Sequence, residues 1–290
     1  MKKILTLLMI CALVMLTGCG GGDAPAKTDV GDKKSSDAGE LKLGTIRHLN
    51  ITETLLDNYF EKAAARMNQT SDMRAPKHIF FDNMPAMIAA LQSGQIDEIS
   101  TYNSVAKYLL AQNADVEISN VRVPKVSDSF CCGLREDSAE LKKEFDAAIL
   151  KLSADGTLAN LVKTYVTDIK AVEDLPAVDM PTFDGAETIK VAVTGDLPPL
   201  DYVRADGKPS GFNTAMLAAI SQQIGKNFEL INIDSGARAA ALNSGQVDVV
   251  FWVAVPLEDT LAPPDCDKPD GMILTEAYFS DEITHVKLKN

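Results

Sequence analysis

The alternation of apolar and polar positions divides the chain into strand- and helix-length segments. Apolar runs of strand length stand at Leu41–Ile46, His78–Phe81, Glu98–Thr101, Ser129–Leu134, Thr188–Val193, Phe228–Ile233, Val249–Val253 and Glu282–Lys289. Between the first two, Leu55, Leu56, Tyr59, Phe60 and Ala63 fall at the 3.6-residue spacing of an amphipathic helix, predicted over Thr52–Met67 with Asn50 and Glu53 as a capping box. A second helix is predicted over Asn213–Ile224, after the strand Thr188–Val193 and a longer loop. Residues 20–40 (GGGDAPAKTDVGDKKSSDAGE) have almost nothing apolar to bury and read as a disordered tether.

One nonapeptide occurs twice. Ala89-Ala90-Leu91-Gln92-Ser93-Gly94-Gln95-Ile96-Asp97 returns, 151 residues later, as Ala240-Ala241-Leu242-Asn243-Ser244-Gly245-Gln246-Val247-Asp248. Each copy follows one apolar strand and precedes another. Gly94 and Gly245 stand where a helix ends on a left-handed residue. Strand–helix–strand implies a right-handed parallel crossover, so both halves are expected to begin β-α-β-α-β. Two copies of an α/β unit imply two lobes with a cleft between them, where small ligands bind.

The first residues change the picture of compartment. Lys2 and Lys3 precede an apolar stretch, Ile4 to Leu16, of secretory-signal length and too short for an ordinary membrane span. Leu16-Thr17-Gly18-Cys19 resembles a lipobox, which implies cleavage before Cys19 and a lipid on its thiol. The expectation is an extracytoplasmic, membrane-anchored lipoprotein, at the cell surface or in the periplasm. The net charge of −13, about −15 once Lys2 and Lys3 leave with the signal, opposes nucleic acid or an anionic membrane as a partner. Of five cysteines, Cys11 leaves with the signal and Cys19 takes the lipid. Cys131, Cys132 and Cys266 do not make a disulfide framework. Cys131 and Cys132 read as small hydrophobes on opposite faces of one strand. His48, His78 and His285 are far apart in sequence, no pair has zinc spacing, and no metal or cofactor is expected. Asp265-Cys-Asp-Lys-Pro-Asp-Gly271 departs from calcium-loop spacing and reads as a solvated acidic turn.

Val193-Thr-Gly-Asp-Leu-Pro-Pro-Leu-Asp-Tyr202 and Ala205-Asp-Gly-Lys-Pro-Ser-Gly-Phe-Asn213, continued by Leu242–Val250 and Thr275-Glu-Ala-Tyr-Phe-Ser280, resemble the first lobe of family 3 extracellular solute-binding proteins. These are the polar amino acid receptors of ABC importers. Phe81–Asp97, Tyr102–Asn113 and Asp137–Val166 resemble that family's second lobe, and Ala148–Tyr165 its C-terminal helices. The resemblance implies a two-lobe periplasmic-binding-protein-like α/β fold of type II. Its order is reversed here, which points to a circular permutation or to a fused pair of incomplete receptors. The organisation expected is a signal peptide over 1–18, lipidated Cys19 and tether over 19–40, a second-lobe-like unit over 41–167, a connector over 168–187 and a first-lobe-like unit over 188–290.

The resemblance also directs attention to the cleft. The family's carboxylate-clamping Arg falls near Thr260, and its small hydroxyl residues fall on Trp252, Val253, Ala254 and Val255. Its Asp for the ligand's amino group falls on Tyr102, and an aromatic on Ser235. Both ends of the usual amino acid clamp are therefore replaced. The candidate ligand residues are Trp252, by stacking on a flat or apolar solute, or else strand core; Tyr102 and Asn103, as hydrogen-bonding groups, with a helix cap as the alternative for Asn103; Asp196 and Tyr202 on the loop after a parallel strand; Arg47 and Asn50 on the corresponding loop of the other half; and Arg238, opening the repeat helix, as a substitute clamp or a solvated side chain. Three functions are open: a binding receptor serving an ABC permease, expected to be monomeric; a sensory lipoprotein presenting occupancy to a membrane receptor kinase; and a recruited dehydratase-type lyase, with His48 as the candidate acid–base. The absence of a nucleophile–base pair in the sequence favours a non-enzymatic receptor.

Overall fold

The structure is a computed structural model and describes residues 40–66, 76–120, 126–169, 175–257 and 262–289. The signal-like segment, Cys19, residues 20–39 of the tether and Thr260 lie outside the described residues. Among the described residues no helix is long and apolar enough to cross a membrane.

The first half runs β1 (Leu41–Ile46), α1 (Glu53–Arg66), β2 (Pro76–Phe81), α2 (Met84–Gln92) and β3 (Glu98–Tyr102). Both β2 and β3 pair with β1 in parallel. The strand β6 (Thr188–Val193) is followed by a small antiparallel sheet of β7 (Asp196–Leu197), β8 (Asp201–Val203) and β9 (Pro209–Ser210). Then come α6 (Phe212–Ile224), β10 (Asn227–Asn232), α7 (Arg238–Asn243) and β11 (Val249–Pro256). Again β10 and β11 flank β6 in parallel. Both halves thus contain the expected β-α-β-α-β unit with the first strand in the middle, set within a mixed α/β fold. β1 and β11 are buried on nearly every residue, as strands covered on both faces must be.

The repeat is also a repeat of hydrogen bonds. Lys42 N–H donates to the Asp97 carboxylate at 2.9 Å and Asp97 N–H returns to Lys42 O at 2.9 Å; Lys190 and Asp248 do the same at 2.9 and 2.8 Å. Gly94 and Gly245, both at φ +73°, close their helices through N–H bonds of 3.1 Å to Leu91 O and Leu242 O. The recurring Asp ties the turn to the edge of the central strand, and the recurring Gly lets the helix reverse without strain.

Two strands join the halves. β5 (Ser127–Arg135) pairs antiparallel with β11 and with β12 (Met272–Leu274). β13 (Phe279–Leu288) pairs with β5 through its first residues. Its later residues pair with β3 and with β4 (Val116–Ile118), the strand that follows α3 (Asn103–Gln112). The strand order is β10-β6-β11-β5-β13-β3-β1-β2, a curled sheet whose two half-sheets meet on β5 and β13. The helices α4 (Ala139–Ala154) and α5 (Thr157–Val162) pack on α6. Residues 127–162 therefore associate with the half-sheet of β6, while the end of β13 associates with that of β1. The stretch before β6 also packs: Leu175 is buried, and Val178 N–H donates to Pro209 O at 2.9 Å.

Two local expectations are corrected. Helix α1 is capped by Thr52, whose hydroxyl accepts from Leu55 N–H at 3.2 Å, and not by Asn50. Asn50 N–H instead donates to Asp267 at 3.0 Å. And the acidic run 265–271 is not a solvated turn throughout, because Asp267 within it is fully buried.

Candidate functional site

The strand β11 carries the feature on which the site is built. Its register with β5 shifts between Val250, opposite Gly133, and Val253, opposite Cys131. Phe251 and Trp252 together face Cys132, which is a β-bulge. Trp252 sits at φ +43°, the non-glycine residue of the described chain with positive φ. Such a conformation costs about 1–3 kcal/mol and persists only where surrounding contacts impose it. The contacts are present. Arg238, fully buried at the start of α7, donates through Nη1 to Phe251 O and Trp252 O, both at 2.9 Å. Its guanidinium lies 4.7 Å from the indole centroid. On the other side of the bulge, the Cys132 N–H donates to Thr275 Oγ1 at 2.9 Å. Burial lowers the Arg238 pKa from its ordinary value, while Asp267 and Asp201 raise it.

Around the indole the two half-sheets converge. Tyr102, at the end of β3, lies edge-on at 6.1 Å, His48 edge-on at 5.8 Å, and Phe130 of β5 at 5.7 Å. The Tyr102 hydroxyl donates to Asp128 at 2.9 Å. Burial raises both the Tyr102 and Asp128 pKa values, so the pair is a neutral phenol facing a carboxyl that protonates above the usual aspartate range. Asp267 binds three backbone N–H groups: Leu49 at 2.8 Å, Asn50 at 3.0 Å and Ala254 of β11 at 3.1 Å. Burial alone would raise its pKa; His48, with Nδ1 at 3.5 Å, and the N–H donors hold it below the ordinary value. The space left is a cavity of about 40 Å³ lined by Thr45, His48, Tyr102, Leu197, Trp252 and Ile283 among others. That is room for a few waters. A second cavity of about 40 Å³ is lined by residues of α1, Phe60 among them, and by His78, and shares His48 and Thr45 with the first.

At the mouth, Asp196 of β7 reaches the other half-sheet: its carboxylate accepts from the Met84 N–H at the start of α2, at 2.7 Å. Burial pushes the Asp196 carboxyl up to about 6. Beside it, Arg47 Nε pairs with Asp82 at 2.9 Å and lies over Phe80 at 5.2 Å, and Ser235 N–H donates to Asp82 O at 3.1 Å.

Trp252, Arg238 and Tyr102 therefore meet in one cluster, Asp196 and Arg47 lie at separate contacts between the half-sheets, with Met84 and with Gly236, and Asn50 is bound to the cluster through Asp267. Asn103 opens α3 and is half-buried. Tyr202, on β8, lines a separate groove of about 490 Å³ with Asp201, Glu229 and Asn232. Asp267, Asp128 and Phe130 belong to the cluster without having been selected from the sequence. The three histidines converge near Phe60: its ring lies 4.8 Å from His78 and 6.1 Å from His285, and His48 lines the same cavity as Phe60 and His78. No three His, Cys, Asp or Glu side chains among the described residues are grouped to hold a metal. Cys131 and Cys132 are buried free thiols; burial pushes Cys131 up to about 11 and Cys132 well above its ordinary value.

The sequence of residues 189–254 matches the model for bacterial extracellular solute-binding proteins, family 3. No curated protein matches the chain. Among solved structures, the chain resembles the ligand-binding component of an ABC-type import system from Staphylococcus aureus with zinc bound, at 10% identity and TM-score 0.44, over 86% of this chain and 66% of that one. It resembles the GluR0 ligand-binding core in complex with L-glutamate at 14% identity and TM-score 0.39, over 87% and 85%. It resembles the aliphatic sulphonate binding protein SsuA from Escherichia coli at 15% and 0.37, over 86% and 62%. The chain thus spans just under two thirds of the length of two of these three proteins. The matched segment runs from β6 through the bulged strand β11, and over residues 189–254 the resemblance to the family 3 extracellular solute-binding proteins is borne out.

Proposed function

We propose that this protein is a lipid-anchored, extracytoplasmic solute-binding receptor, monomeric and with its lobes in circularly permuted order. It captures a small polar or aromatic-containing solute between its two half-sheets and delivers it to an ABC importer. The observation that carries the reading is the cluster of Trp252, Tyr102, His48 and Arg238 at the junction of two β-α-β-α-β units. By the sequence resemblance, Trp252 and Tyr102 fall on positions that the family uses for its ligand. With Trp252 and Tyr102 in place of the usual hydroxyl and Asp residues, an α-amino acid clamped in the usual way lacks its partners, and an aromatic or apolar solute face gains an indole and a phenol. Cys19 is the proposed anchor. The units proposed are those of the sequence reading, 41–167 and 188–290 with a connector between them, exchanging β5 and the end of β13 across the sheet. A ligand-sensing lipoprotein serving a membrane receptor kinase would share this site and differ in partner; co-purification with a permease or with a kinase separates the two.

The test is thermal unfolding of the full chain in detergent against amino acids, polyamines, small carboxylates, nucleosides and aromatic metabolites. A solute at about 100 times its Kd stabilises by roughly 2.7 kcal/mol. A shift with one aromatic or apolar class, weakened in Trp252→Ala, is the expected result. A shift with ordinary α-amino acids that ignores Trp252→Ala, or none with any class, would overturn the reading.

A further inference from the structure

The two half-sheets touch directly at their junction. From the β6 side, Trp252 fills the centre, Asp267 reaches the N–H groups of Leu49 and Asn50, Asp196 reaches that of Met84, and Ser235 N–H reaches Asp82 O. Trp252 is 2% exposed. Its backbone is held in the left-handed region, and the bulge carbonyls are held by Arg238. A flat strand would place residue 252 in the ladder with an ordinary φ. The bulge spends conformational energy to aim the largest side chain of the molecule into the junction, beside the cavity lined by Tyr102 and His48.

The mouth is fitted as closely. Gly236 packs against the Arg47–Asp82 pair so tightly that a Cβ there would stand 2.6 Å from both Arg47 Cδ and Asp82 Oδ1. That steric limit exists only while the half-sheets are together, since Gly236 lies on one and Arg47 and Asp82 on the other. The Asp196 side chain accepts from the Met84 N–H, the first of the nine-residue α2, beside the Asn83 cap.

We infer that the chain shuts its own cleft without a solute, with Trp252 as an internal plug and Asp196 as the latch that holds the plug in. A solute would then enter only those chains whose indole has swung out of the junction, where it stacks on that same indole, and its apparent affinity would be reduced by the fraction of chains that are shut. The inference concerns regulation of the site proposed above, and its test uses no solute, so loss of the receptor reading and loss of the plug are told apart.

Trp252 is the single tryptophan of the sequence, so its fluorescence reports the plug directly. Acrylamide quenching is measured on the full chain in detergent at pH 5, with far-UV circular dichroism as the control for folding. The wild type should be poorly quenched and blue-shifted. Asp196→Ala removes the latch, and Asp196→Ala with Gly236→Ala adds a Cβ that the shut form must push aside. The single variant should be quenched at least two-fold more strongly, the double variant more again, both with red-shifted emission and unchanged circular dichroism. Strong quenching of the wild type overturns the inference whether or not the variants fold. Wild-type quenching in a folded double variant overturns it equally.

Discussion

At the residue scale the site depends on geometry that only one side chain provides. Arg238 offers one Nη1 to two carbonyls of the bulge, with Nε 3.3 Å from Ser235 O, while its flat face covers the indole. A lysine keeps the charge and loses the fork and the stacking face. Arg238→Lys is therefore expected to cost about 2 kcal/mol, from buried carbonyls left short of donors, and to lower Tm by roughly 4–8 °C. Calorimetry of the full chain checks this, and a variant as stable as wild type would mean that the bulge holds itself. Little of this arrangement was legible beforehand. Val249–Pro256 is apolar throughout, so nothing in the sequence marks where the strand bulges, and Trp252 as stacking platform or as core stayed open. The structure makes it both a buried group and the centre of the cluster. Asp267 was hidden for a different reason: Asp265, Asp267 and Asp270 are chemically alike, and only the folded chain brings the N–H groups of Leu49, Asn50 and Ala254 to one of them.

At the scale of elements the sequence was far more informative, because a local hydrogen-bond pattern and a local sequence pattern are the same fact twice. The nonapeptide specified helix end, turn and strand entry in both halves, and the two copies agree down to the Asp that binds the neighbouring strand. What it did not reveal was the partner of β5 and β13. Strand pairing across some 115–190 residues of sequence separation leaves no local mark, and residues 127–135 consequently pair with β11 and β12 rather than with the strands that precede them. The likeness of the two turns is itself measurable. Gly94 and Gly245 share φ +73°, and a Cβ at either would meet nothing within 4 Å. Replacement by alanine therefore incurs only the left-handed backbone cost, about 1 kcal/mol after allowing for the stiffer unfolded chain. Urea unfolding should show Gly94→Ala and Gly245→Ala equal within about 0.5 kcal/mol, and additive in the double variant. A clear inequality would mean that one turn is not the left-handed cap described.

For the whole molecule, the acidity of Asp196 bears on how firmly the two half-sheets hold together at a given pH. Its carboxyl is raised by burial from the ordinary 3.8 to about 6, and the groups facing it add to or oppose that rise in known directions: Asp201 on β8 and Asp234 before α7 raise it, the Met84 N–H and the Thr194 side chain lower it. Between about pH 4 and pH 6 the folded chain keeps this proton and the unfolded chain has lost it. The contribution to stability is therefore complete below pH 3.8 and is lost as the pH rises through 6. His78, lowered by burial, works in the opposite sense, its contribution falling as the pH drops through 6.5. The wild-type profile alone therefore mixes the two, and a difference measurement isolates Asp196. Asp196→Asn keeps an acceptor for Met84 N–H and carries no charge. It should be more stable than wild type at pH 7.5, converge with it below pH 4, and hold Trp252 equally protected at both. In the wild type, Trp252 quenching should rise between pH 5 and pH 7 as the latch ionises. If the two chains differ by the same amount at pH 4 and pH 7.5, or if the asparagine variant is the weaker at pH 7.5, then the carboxylate is stabilised where it lies and closure does not follow its titration.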